Sequence, residues 1–260
     1  MGRDHLPNRR SIFKHLFLSD LEHAVIVVGT TCAAFIMDDP DTWGAWIRNA
    51  EEMQRRGAEA GYPVHFFAAI EVDARGIAPF QPLLDRLAEV DGEYFTFSLD
   101  DGRTEVTTLN RLRHITLGQN IVTDYTISIP TSTHLLFMAT DCEPPSDAID
   151  KLLELDHALV GGEVSTYCLE GPVVDKYPFP VQEHMATAAF IMIRRDLLRF
   201  VRWRWDLETQ MSDDPCLHHD ALHFHGTPTY VRKDCIGQHY PECIGSVESR
   251  GHADMSVVRE

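Results

Sequence analysis

The chain has 260 residues, of which 44% are hydrophobic, and this is enough for one large α/β core. Its formal net charge of -17 disfavours diffuse binding to nucleic acid or to an anionic membrane surface. None of the six cysteines forms a C-x-x-C pair, so a zinc ribbon is disfavoured. The polar N-terminus and the shortness of the longest apolar run, residues 24–29, predict a cytoplasmic protein without a membrane span.

The first half of the chain alternates strand-like and helix-like segments. Residues 24–28 are a continuous β-branched run, which is typical of a buried parallel strand. The predicted strands cover residues 24–28, 64–70, 94–99 and 134–139, and the predicted helices cover 41–61, 80–90, 107–125 and 146–155. Gly61 is predicted to end the first helix, and Ser146 to cap the last. This alternation predicts an α/β fold with a mostly parallel sheet flanked by helices.

The second half is less regular. The predicted strands there cover residues 158–160, 164–168, 187–193 and 229–232, and the predicted helices cover 196–209 and 215–223. The helix at 196–209 is expected to be amphipathic, with its arginines in solvent. No Ser/Gly/Pro-rich linker separates the two halves, so the sequence predicts a single domain over residues 1–260.

Polar residues follow the predicted strands of the first half. Ligands of open parallel sheets bind at the carboxyl ends of the strands. The residues at these ends are Thr30 and Thr31, Glu71 and Asp73, Asp100 and Asp101, and Asp141 and Glu143. Residues two apart in extended backbone project to the same side, so Asp141 and Glu143 should converge on one point. Two hard oxygen ligands suit Mg²⁺ or Mn²⁺, although the same residues also fit a plain acidic loop before a helix.

Two later segments carry further candidate groups. His239 follows a strand-like segment and would supply a nitrogen ligand if it returned to the sheet edge; it also fits a surface histidine. Asp213 and Asp214 precede a predicted helix, where a carboxylate can accept a proton from an attacking hydroxyl. The same pair also fits a simple helix cap, with Pro215 in the first turn.

The order of these motifs over residues 22–242 resembles that of GT-A glycosyltransferases. Asp141-Cys142-Glu143, followed by Pro144-Pro145, resembles the family's D-x-D motif. Asp213-Asp214 resembles its acidic catalytic stretch, and His239 its C-terminal metal-binding histidine. The helix from Arg111 to Asn120 resembles the family pattern R-x-x-x-L-A-x-x-R-N, but Gln119 stands where that pattern has its second arginine.

The resemblance implies a GT-A-type, Rossmann-like sheet and a divalent-metal-dependent transfer from a nucleoside-diphosphate sugar to an acceptor hydroxyl. It implies a nucleotide-binding half at about residues 22–145 and an irregular acceptor-binding half at about 146–260. Nucleotide contacts would come from Thr30, Thr31, Glu71, Asp73, Arg113, Asn120 and Asp141. Asp141, Glu143 and His239 would hold Mn²⁺ or Mg²⁺, and Asp214, or else Asp213, would be the catalytic base of an inverting enzyme.

Other functions remain open at this point. His219, Asp220 and His223 have the H-x-x-x-H spacing of a zinc hydrolase, with Asp220 as a shortened base. The Arg- and Trp-rich stretch at 194–205 is alternatively the partner surface of a non-catalytic nucleotide-binding assembly protein. The acceptor of a transferase is open among small molecules, lipids, protein hydroxyls and a hydroxylated DNA base, although the net charge weighs against nucleic acid. By position alone, the candidate acceptor contacts are Phe179, Gln182, Glu183 and His184; alternatively, Trp203 and Trp205 stack on a sugar.

Overall fold

A computed structural model describes residues 24–32, 44–99, 108–164, 189–206 and 213–239, with only the backbone given at 108–112, 164 and 239. The strands in these ranges are β1 (Val25–Cys32), β2 (Val64–Glu71), β3 (Glu93–Phe97), β4 (Ser132–Met138), β5 (Cys142–Glu143), β6 (Leu159–Val164), β7 (Phe190–Arg194) and β8 (Tyr230–His239). The α-helices are α1 (Ala50–Ala60), α2 (Gln81–Glu89), α3 (Thr108–Ser128), α4 (Ala148–Leu153), α5 (Arg195–Leu198) and α6 (Asp213–His225). Short 3₁₀ turns at Ala45–Ile47 and Ala78–Phe80 lead into α1 and α2.

The strands form one mixed sheet in the order β3-β2-β1-β4-β7-β6-β8-β5. Parallel pairing joins β1 to β2 and β4, β2 to β3, and β6 to β8. Antiparallel pairing joins β7 to its neighbours β4 and β6, and β5 to β8. The prediction of an α/β fold with a mostly parallel sheet flanked by helices is therefore confirmed. Because this sheet runs through both halves of the chain, strands from residues 25–32 and 230–239 share one framework; a single domain over the whole chain stays a prediction.

A hydrophobic core lies on each face of the sheet. The residues of β1 divide between them: Ile26 and Val28 belong to the core that includes residues of α1, α2 and α4, whereas Val25 and Val27 belong to the core that includes residues of α3, α5 and α6. Each large apolar side chain that is fully buried contributes about 1.5–3 kcal/mol of hydrophobic stabilisation. This layering leaves the carboxyl ends of β1, β2 and β4 at one edge, where polar residues replace apolar ones.

Most of the predicted elements in the first half are found within a few residues of their predicted bounds. Gly61 ends α1 with φ 88, the left-handed conformation that favours glycine. The helix predicted at 146–155 begins later, at Ala148, and Asp147 rather than Ser146 occupies its N-cap position. The start of the first predicted helix, at residues 41–43, lies outside the described residues. No α-helix within the described ranges is long and apolar enough to cross a membrane.

Two predictions for the second half are wrong. The helix expected at 196–209 is the four-residue α5, and residues 201–205 that follow it are not helical. Residues 161–163, left between two predicted strands, belong to the continuous strand β6. Gly162 is needed inside that strand because a Cβ atom there would lie 2.2 Å from the ring of Phe190.

Candidate functional site

The acidic turn after β4 lies beside the end of β8. Asp141 occupies the turn itself, and its neighbours Cys142 and Glu143 form β5. Cys142 pairs with His239 and Glu143 with Gln238 in an antiparallel ladder. The backbone of His239 therefore lies next to both predicted carboxylate ligands, although the residues are almost 100 positions apart in the chain. Among the side chains that the structure describes, which exclude that of His239, no group of three or more His, Cys, Asp or Glu residues is placed to hold a metal ion.

Glu143 contacts the two residues that precede α1. Its Oε2 forms an ion pair with the guanidinium of Arg48 at 3.2 Å, and its Oε1 accepts a hydrogen bond from Asn49 Nδ2 at 3.3 Å. The same amide nitrogen donates to the carbonyl of Pro144 at 2.8 Å. The Glu143 side chain is 24% exposed, so it remains accessible from solvent. A cationic group thus already lies against one of the two predicted acidic ligands.

The two threonines at the end of β1 face opposite sides of the sheet. Thr30 is fully buried, and its hydroxyl donates to the carbonyl of Met138 on β4 at 2.7 Å. Thr31 faces α3 so closely that a Cβ atom at Gly118 would lie 2.2 Å from its Cγ2. The hydroxyl of Thr31 is buried and has no hydrogen-bond partner among the described residues. An unsatisfied buried hydroxyl is costly, which makes this end of β1 a candidate for contact with a ligand.

Glu71, at the end of β2, carries a second buried polar atom on the same face as Thr31. The residue is 5% exposed, and its Oε1 contacts Nδ1 of His114 on α3 through a short hydrogen bond. Its Oε2 is buried without a hydrogen-bond partner in the described part of the chain. Asp73, by contrast, is exposed and is bound by the backbone and guanidinium of Arg75, whose hydrogen bonds lower the pKa of that carboxyl.

Helix α3 presents a regular set of residues to the ends of β1 and β2. His114 meets Glu71 and Gly118 meets Thr31, while Val122 lies where a Cβ atom on Gly29 would fall, at 2.3 Å. These three helical positions follow i, i+4, i+8 spacing, which places them on one face. Sequence reasoning gave no role to His114, and this spacing is the signal that could have identified its face.

The polar positions of α3 reach the second half of the chain. Asn120 donates through Nδ2 to the carbonyl of Trp203 at 2.8 Å and accepts the backbone N–H of the same residue at 3.1 Å. Gln119 donates through Nε2 to Oδ2 of Asp213 at 2.6 Å. Arg113 is half-buried, and its carbonyl accepts a hydrogen bond from Thr116. The predicted nucleotide contacts of Arg113 and Asn120 stay predictions.

Asp213 and Asp214 occupy the first turn of α6, where the helix dipole favours negative charge. Both residues are half-buried, and Oδ1 of Asp214 is shielded from solvent. The Gln119–Asp213 bond connects this turn to α3. The structure therefore joins the predicted catalytic pair to the helix that contacts Thr31 and Glu71.

The candidate zinc triad lies further along α6. The rings of His219 and His223 are 4.4 Å apart, as expected for i, i+4 residues. Asp220 binds Arg204 through two 2.8 Å hydrogen bonds. Although burial alone raises its pKa, the hydrogen bonds from Arg204 and His219 bring the pKa of Asp220 below the usual value. Asp220 thus anchors the segment before α6, a role that a free general base would not have.

Two strand-end acids, one residue of the helix pattern and four candidate acceptor contacts lie outside the described residues: Asp100, Asp101, the side chain of Arg111, Phe179, Gln182, Glu183 and His184. Trp203 is 3% exposed, and its indole N–H donates to the hydroxyl of Thr123 at 3.1 Å. The prediction that Trp203 stacks on a sugar or forms a partner surface is therefore wrong, because its ring is buried in the core.

No protein-family model matches this chain, and no curated protein matches it. Among solved structures, it is similar to the galactosyltransferase LgtC in complex with donor and acceptor sugar analogs. The similarity covers 79% of this chain and 72% of that chain, at 13% sequence identity and a TM-score of 0.46. At this level the likeness says nothing about the substrates of the present chain.

Proposed function

We propose that the chain is a GT-A-type glycosyltransferase that moves a sugar from a nucleoside diphosphate to an acceptor hydroxyl with the help of Mn²⁺ or Mg²⁺. The observation that carries the proposal is the pairing of Cys142 with His239, which puts the backbone of His239 beside the D-x-D-like acidic turn. The resemblance in the order of the motifs gives the same assignment from the sequence alone.

The residues at this place fit a divalent cation. Asp141 and Glu143 offer hard carboxylate oxygens, which suit Mn²⁺ or Mg²⁺, and the imidazole of His239 as a third ligand would favour Mn²⁺. When bound, such an ion neutralises the negative charge that develops on a departing diphosphate. The role of the chain is to present Asp141 and Glu143, both of them partly exposed, at the sheet edge beside the backbone of His239.

The nucleotide is proposed to bind at the neighbouring strand ends. The Thr31 hydroxyl and Glu71 Oε2 are buried polar atoms without a partner among the described residues, and a ribose or base could satisfy both. The hydroxyl of Thr30 is already committed to β4 and the amide of Asn120 to Trp203, so these two are proposed to shape the pocket. Asp73 and Arg113 are proposed to lie at its rim.

Asp214 is proposed as the base that takes the proton of the acceptor hydroxyl in an inverting reaction. Its neighbour Asp213, which accepts a hydrogen bond from Gln119, is proposed as the alternative base. A cytoplasmic location, and the division into nucleotide-binding and acceptor-binding halves, remain parts of the proposal.

A thermal-shift panel of nucleoside-diphosphate sugars, each with and without Mn²⁺, tests this function. A ligand present at a hundred times its Kd stabilises a protein by about 2.7 kcal/mol, which for a chain of this size raises Tm by about 5 °C or more. We expect such a shift for at least one donor, only when Mn²⁺ is present, together with slow hydrolysis of that donor. A melting temperature that no sugar nucleotide changes, with or without the metal, would contradict the proposal.

A further inference from the structure

Arg48 contacts Glu143, which is one of the metal ligands under the proposed function, and the inference below rests on that function. Arg48 lies between the 3₁₀ turn Ala45–Ile47 and α1, so the backbone that carries it is held by the core residues Trp46 and Ala50. Its side chain is 38% exposed, and its guanidinium reaches Glu143 Oε2 at 3.2 Å. Asn49 binds the other oxygen, Oε1. Both oxygens of the predicted metal ligand are therefore engaged by adjacent residues of one segment.

A guanidinium and a divalent cation compete for the same carboxylate. Each is attracted by the negative charge of Glu143, and the two cations repel each other at the separation that shared binding would impose. Asn49 carries no charge, so its hydrogen bond to Oε1 does not oppose a metal in this way. Arg48 thus differs from Asn49 in that a metal at Glu143 would have to displace it.

We propose that Arg48 is an internal counter-ion that occupies Glu143 in the metal-free protein and is displaced when the divalent cation binds. Two carboxylates only two positions apart, in a chain with a net charge of -17, repel each other, and the guanidinium offsets this repulsion. Arg48 therefore lowers the affinity of the site for a metal while keeping the empty site folded. This makes it a positioning residue for Glu143.

The test is a titration of the metal-free, full-length protein with Mn²⁺ alone. The electron paramagnetic resonance signal of the free ion measures binding, and all samples have the same ionic strength. Partly exposed ion pairs contribute up to about 1 kcal/mol, so Arg48→Gln is expected to bind Mn²⁺ about two- to fivefold more tightly than the wild type. Arg48→Lys, which keeps the charge, should stay close to the wild-type affinity.

Arg55→Gln is the matched control. Arg55 also belongs to the region of α1, is 53% exposed and pairs with Glu52 and Glu59 on its own helix, so its replacement changes the net charge equally. If Arg48→Gln binds Mn²⁺ no more tightly than Arg55→Gln, while the wild type binds the ion, the counter-ion role is wrong and the metal site stands. If neither the wild type nor any variant binds Mn²⁺, the metal site itself is wrong, and the inference falls with it.

Discussion

Gln119 donates its side-chain amide to Asp213, with 2.6 Å between Nε2 and Oδ2. Gln119 is 1% exposed and lies on α3, at the position where the sequence departs from the arginine of the family pattern. An arginine there would place a fixed charge near the strand ends, whereas the amide orients a carboxylate without adding charge. The departure therefore links the helix beside the proposed nucleotide site to the first turn of α6.

Gln119→Ala should destabilise the protein and slow transfer. Removal of the amide takes a donor from a half-buried carboxylate, at a cost of about 1–3 kcal/mol, and releases the orientation of the first turn of α6. We expect the melting temperature to fall by several degrees and kcat to fall about tenfold to a hundredfold. The matched control is Gln81→Ala, because Gln81 donates to Asp85 at 2.7 Å on the exposed face of α2. Equal effects from the two variants would show that the Gln119–Asp213 bond has no special role.

Asp141→Ala and Glu143→Ala should each abolish metal-dependent transfer while leaving the fold intact. Neither side chain belongs to the two cores, so the loss of stability should stay within about 1 kcal/mol. The measurement combines donor turnover in Mn²⁺ with a melting curve, and Asp85→Ala serves as the control, because Asp85 is an exposed carboxylate on α2 outside the proposed site. Wild-type turnover in either variant would remove that residue from the metal site.

Asp214→Asn should lower turnover far more than donor affinity. An amide cannot accept the proton of the acceptor, and the loss of a general base costs about a hundredfold or more in kcat. Donor Kd, measured by thermal shift, is expected to change less than threefold. Asp213→Asn, which keeps an oxygen for Gln119, should have a smaller effect on kcat. If Asp214→Asn instead loses most of its affinity for the donor, Asp214 binds the donor or caps α6 and does not act as a base.

His134 should make stability depend on pH. Burial, with Arg194 opposite on β7, lowers the pKa of this imidazole from 6.5 to about 4. The unfolded chain therefore binds more protons between these values, so the free energy of unfolding is highest above pH 6.5 and falls as the pH drops toward 4. The loss should reach up to about 3 kcal/mol.

Urea denaturation at several pH values from 7 down to 4 tests this dependence. His134→Gln should flatten the curve, since the variant lacks the group that titrates. His65→Gln, which alters an exposed histidine of β2, should leave the curve as it is in the wild type. A wild-type slope that survives in His134→Gln would assign the dependence to other groups.

The first half of the fold could be predicted because each element carries its own local signal, such as the β-branched run of β1 or Gly61 at the end of α1. In the segment at 196–209 the local signal predicts the wrong structure. Its apolar spacing is helical, but Asn120 takes both the N–H and the carbonyl of Trp203, and these groups are no longer available to a helix. A contact across more than 80 residues thus outweighed a local preference.

The site residues also divide into those that a local sequence signal identifies and those that depend on tertiary packing. Strand-end residues such as Glu71, Asp141 and Glu143 could be found from the alternation of strands and helices, since the carboxyl ends of parallel strands meet at one edge. The roles of His114 and Gln119 depend on how α3 is rotated against the sheet, which a single sequence does not reveal. The contact of Arg48 with Glu143 depends on how α1 packs against the sheet, so the sequence alone could not predict it either.

The hydroxyl of Thr30 connects the ends of β1 and β4 through the carbonyl of Met138, inside the protein and away from water. On the proposed function, these two strand ends carry the nucleotide contacts and the metal-binding acids, respectively. The distance between the two strand ends is then fixed before any donor binds. We therefore expect the protein to select donors whose length from the base to the second phosphate matches this distance. A nucleoside-monophosphate sugar, which is one phosphate shorter, would contact only one of the two strand ends.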